Sequence, residues 1–223
     1  ISNLYDLEAS SLLIDISLHL GSLLAIIFFF RKDLFNLRYN YKLLFLILIG
    51  SLPLIIFGYL LYSTNLIHHL RNIKVVAWTT LVFGIILFFA DQRKIKNNIS
   101  TNLNIKSIIF IGIFQILALI PGVSRAGITM TAARFLKFNR VDSGKISFLL
   151  AIPALIGASF LGIKDVFDQS IQINYLVISA VILSFLFSYI TVKFFLSYIS
   201  KFSLNIFVIY RVVVALVIFM VIY

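Results

Sequence analysis

Apolar runs of about twenty residues recur along this sequence, at roughly 11–30, 43–62, 75–90, 146–163, 174–195 and 205–223. They constrain the fold more tightly than anything else, because about twenty apolar residues in helical form cross the hydrocarbon of a bilayer. Inside lipid every backbone amide and carbonyl must find its partner within the protein, so such runs are expected as helices of an all-α polytopic membrane protein. Composition agrees. With 61% hydrophobic residues, 12% charged ones and a mean hydropathy of +1.08, 223 residues carry more apolar surface than a soluble domain of that size can hide.

There are 19 Lys and Arg against 8 Asp and Glu, a formal charge of +11. The excess falls in short loops between apolar runs. That is the pattern of topology signals and anionic-lipid contact, so nucleic acid is not expected as a partner. With no cysteine, disulfides, Cys-ligated zinc, iron–sulfur clusters and a thiol nucleophile are excluded. The sequence begins at Ile1, and its first ten residues lack the basic region of a signal peptide. The native start is expected upstream.

One stretch breaks the apolar pattern from within. Residues 121–129 read Pro-Gly-Val-Ser-Arg-Ala-Gly-Ile-Thr, between an apolar run from Ser107 to Ile120 and a helix-friendly run from Met130 to Leu136. Non-helical backbone at membrane depth is tolerated only where protein or a water-filled cavity surrounds it. An arginine there costs about 2.5–3.5 kcal/mol on insertion scales. Such a stretch is the first candidate for a functional site.

Loop charges decide how it is threaded. The 31–42 loop carries Arg31, Lys32, Arg38 and Lys42, and the 91–106 loop carries Arg93, Lys94, Lys96 and Lys106. If 107–136 crossed the membrane, the following loop would put Lys137, Arg140 and Lys145 outside. If it dips in and returns, that loop is inside and 164–173, with only Lys164, is outside. The positive-inside rule selects the second arrangement, a re-entrant helix-loop-helix accompanied by six transmembrane helices. Three spans, a re-entrant unit and three more spans form an inverted-repeat plan, with 1–106 the remainder of the first repeat and 107–223 the second. Ile16-Ser17-Leu18 and Ile146-Ser147-Phe148 echo each other 130 residues apart. At that offset the first re-entrant unit is expected to be absent from this chain.

The residue types at the break suit an anion. Gly122 and Gly127 let the backbone turn and approach a ligand closely. Ser124 and Arg125 stand at the N-terminus of the returning helix, where unpaired amides and partial positive charge gather. Arg125 offers a planar fork matched to phosphate oxygens, and Ser124 and Thr129 add hydroxyls. The competing reading is a structural kink whose arginine pairs with an acid or with backbone carbonyls.

The run from Phe114 to Thr129, FQILALIPGVSRAGIT, resembles the signature of bacterial undecaprenyl-pyrophosphate phosphatases, the bacitracin-resistance family. The similarity continues through Leu18-His19-Leu20-Gly21-Ser22, Arg31-Lys32-Asp33-Leu34, Ser147-Phe148-Leu149-Leu150-Ala151-Ile152-Pro153 and Ile209-Tyr210-Arg211. The resemblance implies an integral hydrolase of the bacterial plasma (inner) membrane. It would remove the terminal phosphate of undecaprenyl pyrophosphate and so recycle the lipid carrier for cell-wall synthesis. It implies catalytic roles for Arg125, clamping pyrophosphate, and Ser124, orienting it, with Gly122, Gly127 and Thr129 as the phosphate cradle. It also implies a divalent metal, Mg or Ca, and entry of the lipid from the outer face; a homodimer is a candidate assembly. Two departures stand out. Ala126 replaces the family's usual serine. The family's E-x-x-x-E stretch, Pro-x-Ser-Ser segment and histidine, the expected source of metal ligands, would lie upstream of Ile1, and Asp6 and Glu8 do not restore them. No metal ligand is therefore expected in this chain.

Asp15 and His19, at i and i+4, share a helix face and either line the cavity or satisfy each other. Gln115 is another cavity candidate, expected to hydrogen-bond the loop. His68 and His69 read as surface residues, and Arg211 as a packing or headgroup partner ahead of a catalytic role. The rival functions are a polyprenyl-phosphate transporter or flippase using the same cradle, and a catalytically inactive structural paralogue.

Overall fold

A computed structural model describes residues 2–64, 72–168 and 175–222. The helices in chain order are α1 (Ser2–Phe29), α2 (Arg31–Phe35), α3 (Leu37–Ser63), α4 (Ile73–Asp91), α5 (Ile99–Asn102), α6 (Ile105–Ile116), α7 (Arg125–Phe135), α8 (Arg140–Asp168), α9 (Tyr175–Lys201) and α10 (Asn205–Ile222). Among the described residues there is no strand, only an isolated bridge between Asn97 and Phe138. Five helical stretches are long and apolar enough to cross a membrane: Asn40–Ser63, Ile73–Asp91, Arg140–Phe160, Val177–Lys201 and Asn205–Ile222. In α1 the apolar part is Leu13–Phe29, at the lower end of spanning length. Several helices overrun their apolar runs, continuing into polar flanks. His68 and His69 lie outside the described residues.

The chain divides into two compact units, one of Ile1–Asn40 with Ala151–Phe195, the other of Tyr41–Leu150 with Leu196–Tyr223. In the first, α1 packs against α9 through small residues. A Cβ on Gly21 would sit 2.5 Å from the Val181 carbonyl. Ser22 Oγ lies 3.1 Å from Ser184 Oγ and 2.9 Å from Ser188 Oγ, and the Ser184 hydroxyl donates to the Leu18 carbonyl. Lipid offers no hydrophobic drive between helices, so close backbone approach and hydroxyl contacts supply the association. The Gly21-Ser22 pair of the sequence signature is spent on this seam.

The second unit holds the re-entrant hairpin. Asn104 and Ser107 form a capping box that starts α6, satisfying amides that a helix leaves open. At 12 and 11 residues, α6 and α7 are only about 18 and 16 Å long, too short to cross some 30 Å of hydrocarbon. The segment ahead of α5 is tied to the chain leaving α7, the Lys96 and Asn97 amides donating to the Lys137 carbonyl and the Asn139 amide to that of Asn97, and Asn104 and Lys106 at the start of α6 line one cavity with Leu136 and Phe138. The hairpin therefore enters and leaves at one end, as the loop charges predicted. It is seated on α3 by a glycine contact, since a Cβ on Gly112 would meet the Gly50 carbonyl oxygen.

Candidate active site

The break between α6 and α7 is built by two devices. Gly122 adopts φ +87°, a conformation that only glycine takes without strain. A Cβ there would also collide with Thr79 Oγ1 and with the Val76 carbonyl at 2.7 Å. The loop is pressed directly on α4. The Thr79 hydroxyl lies 2.7 Å from the Pro121 carbonyl, with the Val75 carbonyl as its competing acceptor at 2.8 Å, and Thr80 reaches the Gly122 carbonyl at 3.4 Å. Two adjacent threonines thus supply donors to carbonyls stripped of helical partners.

Ser124 then starts α7. Its backbone is extended and its Oγ accepts the Gly127 amide at 3.1 Å. This cap leaves the earlier amides of the helix as the ones available to an anion. With its lone pair engaged, the Ser124 hydroxyl still has a proton to donate. Arg125, half-buried, is the first helical residue. Thr129 lies one turn on but turns away from the loop. It is 1% exposed, and its hydroxyl lies 2.8 Å from Ser147 Oγ on α8 and 2.9 Å from the Arg125 carbonyl. Thr129 braces the cradle from behind.

At the opposite end of α7 lies a different arrangement. Arg134, 1% exposed, places Nε 3.2 Å from the Asp91 carboxylate and donates to the carbonyls of Asp91, Arg93 and Phe138. Arg140 binds both Asp91 oxygens, at 2.8 and 2.9 Å, and the Leu204 amide donates to the same carboxylate at 3.1 Å. One buried acid thereby joins the C-terminus of α4, the C-terminus of α7, the N-terminus of α8 and the turn before α10.

The remaining sequence candidates fall as follows. Gln115 is fully buried in α6, and its amide makes no hydrogen bond; the expected bond to the loop is not formed. Asp15 and His19 are exposed positions of α1 in the other unit, and His19 Nδ1 lies 2.6 Å from the Asp15 backbone carbonyl rather than its carboxylate. Helical geometry favours that local bond at i−4 over a carboxylate pair. Among the described residues no three His, Asp or Glu side chains come together to hold a metal. The donor set for a divalent ion is therefore not found among them, and no step is routed through one.

Sequence reasoning passed over Thr79, Thr80, Asp91, Arg134 and Ser147. The paired hydroxyls of Trp78-Thr79-Thr80-Leu81, inside an otherwise apolar run, were the available signal for the first two. Asp91 was visible only as the edge of a run.

The family described as Bacitracin resistance protein BacA matches residues 1–217. An undecaprenyl-diphosphatase of Pelagibacter ubique is 61% identical over 221 residues, covering 99% of this chain and 86% of the relative. Proteins of the same name from Elusimicrobium minutum and Saccharophagus degradans are 38% and 36% identical, with 96% and 93% of this chain covered and 85% and 83% of theirs. On this match over nearly its whole length, the chain belongs to the bacitracin resistance protein BacA family.

Proposed function

We propose that this protein is a membrane phosphatase that hydrolyses undecaprenyl pyrophosphate to undecaprenyl phosphate and inorganic phosphate. The observation that carries the reading is the α7 N-terminus, where Ser124, Arg125 and open amides gather at a re-entrant break, in a chain of this family. Water attacks the terminal phosphorus, the bridging P–O bond breaks, and the lipid phosphate leaves with the electron pair. Negative charge spreads over the phosphoryl oxygens and the leaving oxygen as this happens. Preoriented amides and a guanidinium stabilise such charge more strongly than mobile water does. Ser124 acts as a hydrogen-bond donor that orients the terminal phosphate, since its Oγ accepts the Gly127 amide and keeps its own proton for the ligand.

The basic loops at the Asp91 end support a cytoplasmic placement of that end in a bacterial inner membrane. Gly122 contacts Val76, fifteen residues or about 22 Å along α4 from Asp91. The cradle then lies near the outer face, where a spent lipid carrier is exposed. Arg125→Ala in the full-length protein should cut phosphate release from polyprenyl pyrophosphate by about 10²–10³-fold at unchanged expression. Wild-type turnover in that variant would remove Arg125 from the mechanism. A wild-type protein that moves the lipid across vesicles without releasing phosphate would make the transporter the right reading.

A further inference from the structure

A buried serine in a membrane helix readily satisfies itself on its own backbone. Ser17 donates to the Leu13 carbonyl at 2.7 Å, Ser51 to that of Ile47 at 2.8 Å and Ser143 to that of Asn139 at 2.8 Å, each four residues back. Ser147, one turn beyond Ser143 on α8 and 4% exposed, behaves differently. Its Oγ lies 2.8 Å from Thr129 Oγ1 and 3.4 Å from the Ala126 carbonyl, both on α7. Thr129 Oγ1 in turn lies 2.9 Å from the Arg125 carbonyl and 3.2 Å from that of Ala126. Thr131, also buried, donates to the Gly127 carbonyl at 2.7 Å. Three consecutive carbonyls in the first turn of α7 thus each face a buried hydroxyl.

Every one of these carbonyls shares a peptide unit with the amide of the next residue. Within that turn the Gly127 amide is taken by Ser124 Oγ and the Ile128 amide by the Ser124 carbonyl. The amides of Arg125 and Ala126 are the ones left for an anion. A hydroxyl that donates to a peptide carbonyl draws electron density toward the oxygen, and the N–H of the same peptide becomes a stronger donor. Chained hydrogen bonds reinforce one another in this way by about 10–30% each. Two orders of donation use both the Ser147 and the Thr129 proton. The order ending on the Arg125 carbonyl has the shorter terminal contact, 2.9 Å against 3.4 Å for the one ending on Ala126, and is the stronger. The chain then runs from Ser147 through Thr129 to the peptide whose N–H is the open amide of Ala126.

We propose that Ser147 is a positioning residue of the reaction, which through Thr129 fixes the first turn of α7 and strengthens the Ala126 amide toward phosphoryl oxygens. The proposal rests on the phosphatase reading above. Ser147 touches no substrate atom; it acts from behind α7. Charge on the phosphoryl and leaving oxygens develops on the way to the transition state, so a better donor is felt there more than in the bound substrate. The effect therefore falls on kcat ahead of KM.

The test is steady-state hydrolysis of polyprenyl pyrophosphate by the full-length protein. Ser147→Ala should lower kcat by about tenfold, the net worth of one hydrogen bond, while KM stays within about twofold. Ser143→Ala deletes an equally buried hydroxyl one turn away, bonded only to its own helix, and should leave kcat at the wild-type value. Ser147→Thr keeps the donor and should recover most of the rate, whereas Ser147→Cys fills the space but donates weakly and should not. Because Ser147 acts through Thr129, Ser147→Ala should cost much less in a Thr129→Val background than alone. Equal losses from Ser143→Ala and Ser147→Ala, strict additivity with Thr129→Val, or wild-type kcat in Ser147→Cys overturns the proposal. Should Ser147→Ala fail to accumulate, Ser147→Cys decides by the same split of kcat from KM. If Arg125→Ala loses turnover while the Ser147 variants keep theirs, the phosphatase reading survives and this one fails; if Arg125→Ala also turns over as wild type, the phosphatase reading fails as well.

Discussion

The two ends of α7 are both crowded with arginine, and they treat it oppositely. At the C-terminus Arg134 and Arg140 share the Asp91 carboxylate, and carbonyls of Asp91, Arg93 and Phe138 take three further protons of Arg134. The helix dipole also favours a cation there. At the N-terminus Arg211, its guanidinium against Gly127, faces a turn of open amides, with the dipole against it. One end is neutralised within the chain, whereas Arg211 at the other end has no ion pair among the described residues. The lesson is that an intramembrane arginine identifies a ligand site by the company it lacks, since burial alone describes both ends.

Five substitutions break or sharpen that contrast. Asp91→Asn removes the carboxylate that Arg134 and Arg140 share and leaves Arg134 buried without that counter-charge. Loss of one partner of a buried pair costs about 3–5 kcal/mol, so this variant should show the largest drop in thermal midpoint in detergent; a midpoint equal to wild type would mean that the carbonyls alone hold Arg134. Gly122→Ala attacks the open end through its backbone. A positive φ and a clash with α4 should together cost some 1–3 kcal/mol, with phosphate release falling alongside the midpoint. Ser124→Ala deletes the cap, worth about 1 kcal/mol, and removes a donor to phosphate; turnover should fall further than stability alone accounts for, which a comparison at a temperature well below both midpoints would reveal. Smallest and most telling is Arg211→Gln, where relief of the unfavourable dipole interaction should raise the ligand-free midpoint by the equivalent of about 0.3–1 kcal/mol. Arg134→Gln should lower it. Midpoints moving in the same direction would erase the distinction between the ends.

Much of this was legible in the sequence because the membrane enforces it. Runs of fixed length, basic loops and a Pro-Gly break at depth sufficed for the helical spans, the re-entrant hairpin, and the place of Ser124, Arg125 and Gly122 at its turn. What escaped depended on which residues of different helices stand at one height. Arg211, a lone arginine in a span, is equally compatible with lipid headgroups until α4 and α7 are seen to leave glycines opposite it. Thr129, whose hydroxyl and family resemblance suggest a part of the phosphate cradle, bonds its own i−4 carbonyl, as a helical threonine readily does, and meets Ser147 on α8. Gln115 failed differently: its spacing from the loop was right, but its helix face is enclosed, and its amide meets no acceptor.

The Asp91 cluster also bears on how the protein is made. Its acid leaves the ribosome some forty residues ahead of Arg134 and well over a hundred ahead of Leu204. A chain interrupted before α8 therefore carries a carboxylate at the end of a membrane helix with its partners still unmade, an unfavourable state that marks a nascent chain as incomplete. The last contribution comes from the backbone amide of Leu204, whose side chain is itself buried at 1% exposure, so the position calls for an apolar residue and forbids proline. Because the same final helix carries Arg211, the Asp91 cluster closes and Arg211 reaches Gly127 of α7 in one event.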